Sequence, residues 1–327
     1  MIVLPNPALG PMVNAVAAAC RICRTVQSHL VAAGRLSKGD KSPVTIADYA
    51  SQAVVAEVLA RTFPGIALVA EEDSSLLRLP ENGKIRAAVV RIVAAEWEGA
   101  DEAAVLASID HGRGEPSPSD LFFALDPIDG TKGFLRGEQY AVALALLEDG
   151  KPVAGVLGCP NLPGPDAGHG SLFLAVRGRG AYTLPLGGHP AGIAPVVVSD
   201  VMDPRDIRFC ESVEGAHSHK DRSKLIAEAL SVSAPPVSVD SQCKYGLVAR
   251  GDAELYLRVP RGTDYREKIW DHAAGVLILE EAGGKVTDLD GHPLDFSRGR
   301  ELTVNRGIVA SNGRVHPAVL DAIHRTE

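Results

Sequence analysis

Apolar residues recur every three to four positions through Val13, Val16, Cys20, Cys23 and Val26, a rhythm that predicts a helix over 11–34. A second helical stretch, over 47–61, is apolar at Val54, Val55, Val58 and Leu59. The segment "GIALVAEED" then reads as a buried strand that runs out into acid, and residues 85–109 as a further, partly charged helical stretch. Next, "LFFALDPIDG" reads as a strand stopped by Pro127, and "YAVALALLEDGKPVAGVLGC" as a hairpin turning at Asp149 and Gly150. Two further strands fit "SLFLAVRGRGAYTL". The Gly- and Pro-rich stretch 185–195 marks a domain boundary, giving an N-terminal unit over 1–190 and a C-terminal unit over 191–327. Beyond it, strands near 196–198, 207–211 and 253–259 alternate with helices near 219–231, 241–250 and 271–282. The fold class expected from this alternation is α/β, and no internal repeat interrupts it.

Composition narrows the picture. At 327 residues, 46% hydrophobic and 23% charged, the chain buries a full core in one large or two modest domains. Its formal charge of -8 argues against a nucleic-acid polymer as partner, so an anionic small molecule would need a locally basic pocket. No apolar run approaches the ~18 residues of a membrane span. Residues 1–20 carry no charge, but Pro5, Pro7, Pro11 and Asn14 interrupt them, so no secretion signal is expected and the cytoplasm is the expected location. Five cysteines include the pair Cys20 and Cys23; they sit inside the helical rhythm without a second ligand pair, which favours buried packing over zinc or redox chemistry.

The acids cluster at element ends. Glu71 and Glu72 close one strand, Asp126 and Asp129 close another, and Asp271 in "WDHAAG" opens a helix. Carboxylates that converge without cationic partners repel, and a hard divalent cation with oxygen ligands resolves the conflict; magnesium suits such a set better than zinc. In "DPIDG", Pro127 restricts the backbone, Gly130 permits a tight turn, and the Ile128 carbonyl falls between two carboxylates as a further ligand. An Asx turn at a strand end explains "DPID" alone equally well. The chain contains no G-x-x-x-x-G-K-[ST] loop, no G-x-S-x-G and no H-E-x-x-H.

"LDPIDGTKGF" and "WDHAAGVLILEEAGG" resemble the two signature motifs of the lithium-sensitive, magnesium-dependent inositol monophosphatase superfamily. The segments "SPVTIADYASQ", "DPIDGTKGFLRGEQYAVALAL", "GVLGCPNL", "DSQCKYGLVARGDAELYLR" and "EKIWDHAAG" are most similar to its 3′(2′),5′-bisphosphate nucleotidase branch. The likeness spans nearly the whole chain and is weakest at 74–120 and 161–195. It implies a layered α/β sandwich: helices on a large, mainly antiparallel sheet, a smaller C-terminal α/β domain, and a metal site in the cleft between them. It also implies that Glu71, Asp126, the Ile128 carbonyl, Asp129 and Asp271 hold two or three magnesium ions, Asp126 bridging two of them, while Asp48 and Thr131 position and activate water. Such chemistry needs metals: phosphomonoester hydrolysis requires acceleration up to on the order of 10²¹-fold, whereas a general base supplies about 10²- to 10⁴-fold.

By the same resemblance, the substrate is a small adenosine 3′,5′-bisphosphate-type molecule, or its 5′-phosphosulfate analogue, attacked directly by water. Gly130, Thr131, His217, Ser241, Lys244 and Arg258 would line its site. Relatives acting on inositol phosphates usually place a carboxylate where "AELYLR" ends in Arg258, and an arginine there asks for an anion. Lys244 also reads as a solvated helix residue, and His217 as a loop histidine. An inositol phosphatase is the alternative, and a nucleotide sensor without catalysis would lack a ligand or the Asp48 and Thr131 pair, none of which is missing. Two departures from the family pattern are Ala47 and Ala70, where glycine is common; each is expected to shift a turn. Glu72 and Asp73 read as supporting acids or as exposed charge. Monomer and homodimer are both left open.

Overall fold

The computed structural model describes residues 8–32, 42–115, 117, 120–164, 170–187, 192–213, 220–260, 262 and 265–326. Helix α1 (Leu9–Ala32) lays Val16, Ala19, Cys20 and Cys23 on a seven-stranded sheet and turns Ala18 and Ile22 toward α2 (Ser42–Thr62). Both cysteines of the pair are fully buried, and desolvation pushes their thiols up, the opposite of what thiolate chemistry requires. The expected helix over 85–109 is two helices, α3 (Gly83–Val93) and α4 (Glu102–Asp110). The first ends at Val93, the chain turns through Gly99 at φ +77°, and Asp101 starts the second by accepting the Ala104 N–H at 2.8 Å.

The first sheet orders its strands as in the sequence: β1 (Ala67–Ala70), β2 (Phe122–Asp129), β3 (Ala141–Glu148), β4 (Lys151–Cys159), β5 (Ser171–Val176), β6 (Ala181–Pro185) and β7 (Ala194–Val196). Only β1 and β2 pair in parallel; the others are antiparallel. The β3–β4 turn has Asp149 and Gly150 both at positive φ, as a two-residue hairpin demands. Contrary to expectation, Pro127 does not stop β2. Asp126 pairs with Ala143 and Asp129 with Ala141, so three steps on β2 meet two on β3. The surplus residue forms a bulge, where a proline without an N–H is tolerated.

The second sheet runs β11 (Lys285–Thr287), β12 (Ile308–Ser311), β10 (Leu255–Arg258), β8 (Phe209–Glu211), β9 (Val237–Ser238). After the short α5 (Thr131–Leu135) that follows β2, helices α6 (Lys220–Ala229) and α9 (His316–Arg325) cover the outer face of the second sheet through Ile226, Val319 and Ile323. Between the two sheets lie α7 (Cys243–Ala249) and α8 (Ala273–Glu281), packing Tyr245, Leu277 and Ile278 against Phe173 and Ala175 on one side and Tyr256 and Ala310 on the other. The two helices touch closely because Gly275 has no side chain; a Cβ there would lie 2.2 Å from the Tyr245 ring. The layers therefore alternate α, β, α, β, α, the layered α/β architecture expected. Strands β9, β11 and β12 and helix α9 were not foreseen from the hydrophobic pattern. Among the described residues no helix is long and apolar enough to cross a membrane.

Candidate active site

Parallel pairing of β1 and β2, with Ala70 opposite Leu125, brings the next residues, Glu71 and Asp126, out of the sheet side by side. The bulge re-aims the end of β2, so Ile128 and Asp129 share the same cleft. Asp271 arrives from the second half of the chain, at the end of a short 3-10 turn (Ile269–Asp271) that leads into α8. These residues, with Gly130 and Thr131, line a cavity of about 510 Å³ whose other walls include Ser241, Lys244 and Arg258. Asp48 is buried on α2 close enough for Glu71, Glu72 and Asp126 to share its field. Every candidate residue converges here except His217, which lies outside the described residues.

The electrostatics reflect crowding. Burial, then Asp271, Glu72 and Asp129, raise the Glu71 carboxyl to about 8; burial raises Asp271 to about 6 against the lowering pull of Arg258. Asp126 is pushed well above the usual carboxylate range by burial and by Glu71, Asp129, Asp271 and Asp48. An all-oxygen set of mutually repelling carboxylates fits a hard divalent cation, and Glu71, Asp126, the Ile128 carbonyl, Asp129 and Asp271 are the groups able to hold it. Glu72 is partly buried at the strand end and bonds to Tyr49, whereas Asp73 is solvent-facing near Arg113.

Supporting residues fix this set. Ser51 donates to the Pro127 carbonyl (3.0 Å), tying the bulge to α2. Gln52 donates to the Glu72 carbonyl (2.6 Å) and accepts its N–H (3.1 Å), clamping the end of β1. The Ile128 N–H donates to Asp126 Oδ1 (3.0 Å), and the Gln242 N–H to Asp129 Oδ2 (2.5 Å). That last contact follows Ser241 at φ +71°, a left-handed conformation costly for a non-glycine residue, just before Gln242. Ser51 and Gln52 escaped the sequence reading, although they share one helix face with Asp48 at i+3 and i+4. Ala47 lies within α2 and Ala70 ends β1, both buried and neither at positive φ.

Gly130 is at φ +87°, and a Cβ there would lie 2.8 Å from Ser241 Cβ. Gly130→Ala is expected to cost about 2–4 kcal/mol, combining left-handed strain with overpacking. A denaturant-unfolding midpoint equal to wild type would contradict that packing.

The basic wall has its own network. Arg258 ends β10 with Nη2 2.9 Å from Glu267, 3.8 Å from Asp271 and 3.1 Å from the Tyr265 hydroxyl. It therefore has protein carboxylates as partners, where the sequence suggested only an anionic ligand. Its Nε, however, is buried without a hydrogen-bond partner among the described residues. Glu267 also meets His272 Nε2 (3.2 Å), whose Nδ1 meets the Tyr245 hydroxyl (2.9 Å). Ligand atoms of Glu267, Asp271 and His272 lie within 4.8 Å of one another, but Arg258 and Tyr245 already engage them. Lys244 is 3% exposed, so it is no solvated helix residue. Its Nζ donates to the Val239 carbonyl (3.1 Å) and Ser212 Oγ (3.3 Å), and burial pulls its pKa down.

A family model described as the inositol monophosphatase family matches residues 10–327. An Oryza sativa protein named 3′(2′),5′-bisphosphate nucleotidase is 46% identical over 95% of this chain and 91% of its own length. Arabidopsis thaliana 3′(2′),5′-bisphosphate nucleotidase 1 is 47% identical, over 95% and 93% respectively. Among solved structures, an inositol monophosphatase from Anabaena (Nostoc) sp. PCC 7120 superposes with TM-score 0.61 at 25% identity, covering 97% of this chain and 95% of that one. The staphylococcal IMPase-II matches in fold with TM-score 0.63 at 20% identity, covering 97% and 92%.

Proposed function

The chain belongs to the inositol monophosphatase family, and from that premise we propose that it is a metal-dependent 3′(2′),5′-bisphosphate nucleotidase, releasing the 3′-phosphate of adenosine 3′,5′-bisphosphate to leave AMP. The single observation that carries the substrate assignment is the opposition, across one cleft, of a carboxylate cluster and two buried cations. Glu71, Asp126, Asp129 and Asp271 suit a divalent ion, proposed to be magnesium. Lys244 and the unpartnered Nε of Arg258 suit a second phosphate. Among the described residues no carboxylate lies within ion-pair distance of Lys244 Nζ, which makes an anionic ligand its natural complement.

In this reading the ions, when bound, neutralise phosphoryl charge and acidify water. Burial among acids favours the protonated form of Asp48 while no cation is present; once a bound cation offsets those neighbouring charges, the Asp48 carboxylate would take up the proton, and the Thr131 hydroxyl would orient the attacking oxygen. Lys244, Ser241 and Arg258 hold the 5′-phosphate and so fix which phosphate meets the acids. The first sheet runs past the expected boundary at residue 190 to include β7; it and α2 are proposed to supply most metal ligands and Asp48, and the chain beyond β7 the phosphate grip and Asp271.

The test is phosphate release with magnesium from adenosine 3′,5′-bisphosphate, its 5′-phosphosulfate analogue, inositol 1-phosphate and AMP. Charge-assisted contacts to a second phosphate, worth about 1.5–3 kcal/mol each, predict roughly 10²-fold higher kcat/KM for the bisphosphate than for AMP. Equal turnover of inositol 1-phosphate would overturn the substrate assignment, and no release from any compound would overturn catalysis.

A further inference from the structure

We propose that Arg300 is a positioning residue that locks Glu71 and Asp271 into one metal-binding geometry, an assignment that rests on those two carboxylates being ligands. Arg300 Nη2 donates to the carbonyl of Ala70, and its guanidinium lies 4.8 Å above the Trp270 ring. Ala70 and Trp270 are the residues immediately before Glu71 and Asp271. One planar side chain thus touches both chain segments at the positions that deliver ligands, although Arg300 and Ala70 are 230 residues apart.

The segment around Arg300 is itself fastened to the Asp271 side. The Ile269 N–H donates to the Arg300 carbonyl at 3.1 Å, the Leu302 N–H to the Glu267 carbonyl at 2.8 Å, and Lys268 pairs with Glu301. On the other side β1 is an edge strand, with β2 its one full-length neighbour. Two like charges that converge from separate segments push those segments apart before any cation arrives. Arg300 opposes that motion by gripping a neutral carbonyl and an aromatic face rather than a carboxylate. It couples the two backbones without quenching the acids, which leaves their charge for an ion. Lysine could donate to the carbonyl, but has no plane to lay on the indole.

Supporting contacts behind metal ligands are typically worth about 10- to 100-fold in metal affinity. Arg300→Ala and Arg300→Met are therefore expected to weaken magnesium binding at least about tenfold, measured by isothermal titration of magnesium alone and by the half-saturating magnesium concentration for phosphate release. Once magnesium saturates, kcat should largely recover and KM for substrate should barely move; Arg300→Lys should stay closer to Ala than to wild type. Arg300→Met keeps the aliphatic stem packed and guards against simple unfolding. Wild-type magnesium affinity in folded Ala and Met variants, with only a lower melting temperature, would overturn the assignment. Asp126→Asn separates the two levels: if it too binds magnesium like wild type, the metal-site reading fails, whereas loss there with none in the Arg300 variants fails Arg300 alone.

Discussion

Asp126→Asn should abolish phosphate release while making the metal-free protein more stable. The side chain is 2% exposed and faces Glu71, Asp129, Asp271 and Asp48, each of which opposes its ionisation. Asparagine keeps the shape and can still accept the Ile128 N–H that Asp126 Oδ1 accepts at 3.0 Å. It removes one acid from the mutually repelling set and, since its one remaining oxygen stays with the Ile128 N–H, the second carboxylate oxygen that could hold a cation. Metal stabilisation of a phosphoryl transition state is worth several kcal/mol, so a loss of at least about 10³-fold in kcat is expected. The melting temperature of the metal-free variant should rise by a few degrees, roughly 1–2 kcal/mol in a chain of this size. The same acids set a pH dependence. Glu71 at about 8 and Asp271 at about 6 hold protons in the folded state that the unfolded chain has already released above about pH 4. Their stabilising contribution is complete below pH 4 and is lost as pH rises toward 8, so metal-free wild type should weaken across that window. Saturating magnesium should flatten the slope, and Asp126→Asn should flatten it without magnesium. A steep slope unaffected by either change would show that these carboxylates do not interact as described.

How far the sequence disclosed this site depends on the range of each contact. Glu71, Asp126 and Asp129 are legible because each follows an apolar run, and the run locates the end of a strand. Lys244 and Arg258 came through the family resemblance, which said nothing of their surroundings. The Glu267 that holds Arg258 and the His272 behind it flank the 3-10 turn, whereas Tyr245 comes from α7, and no helical or strand period links the three. Pro127 misled for a related reason: a proline's missing N–H suggests a strand end, and only the register against β3 reveals a bulge. The C-terminal strands β9, β11 and β12 span two to four residues, too few for a period of two to register. Arg300 lacks any local mark, because its partners at Ala70 and Trp270 are defined by tertiary fold alone.

Arg258→Ala should separate substrate choice from catalysis, provided its second consequence is controlled. The direct effect is loss of the guanidinium from the wall that is proposed to hold the 5′-phosphate. Removing one partner of a buried, hydrogen-bonded charge pair typically costs about 2–5 kcal/mol, so kcat/KM for adenosine 3′,5′-bisphosphate should fall at least roughly 30-fold. Turnover of a monophosphate substrate, which never used that contact, should change far less. The complication is Glu267: it is 5% exposed in its side chain and loses its 2.9 Å guanidinium partner, while His272 stays 3.2 Å away. That alone is expected to destabilise the fold by about 3–5 kcal/mol. The paired variant Arg258→Ala with Glu267→Gln removes the stranded charge while glutamine can still meet His272. It should regain most of the lost stability and none of the bisphosphate preference. If the pair instead restored both, Arg258 would matter through folding alone, and the grip on the second phosphate would have to be sought in Lys244 and Ser241. Recovery of stability without preference is the outcome that assigns Arg258 to substrate, because only a contact with the ligand can be lost while the protein around it is whole.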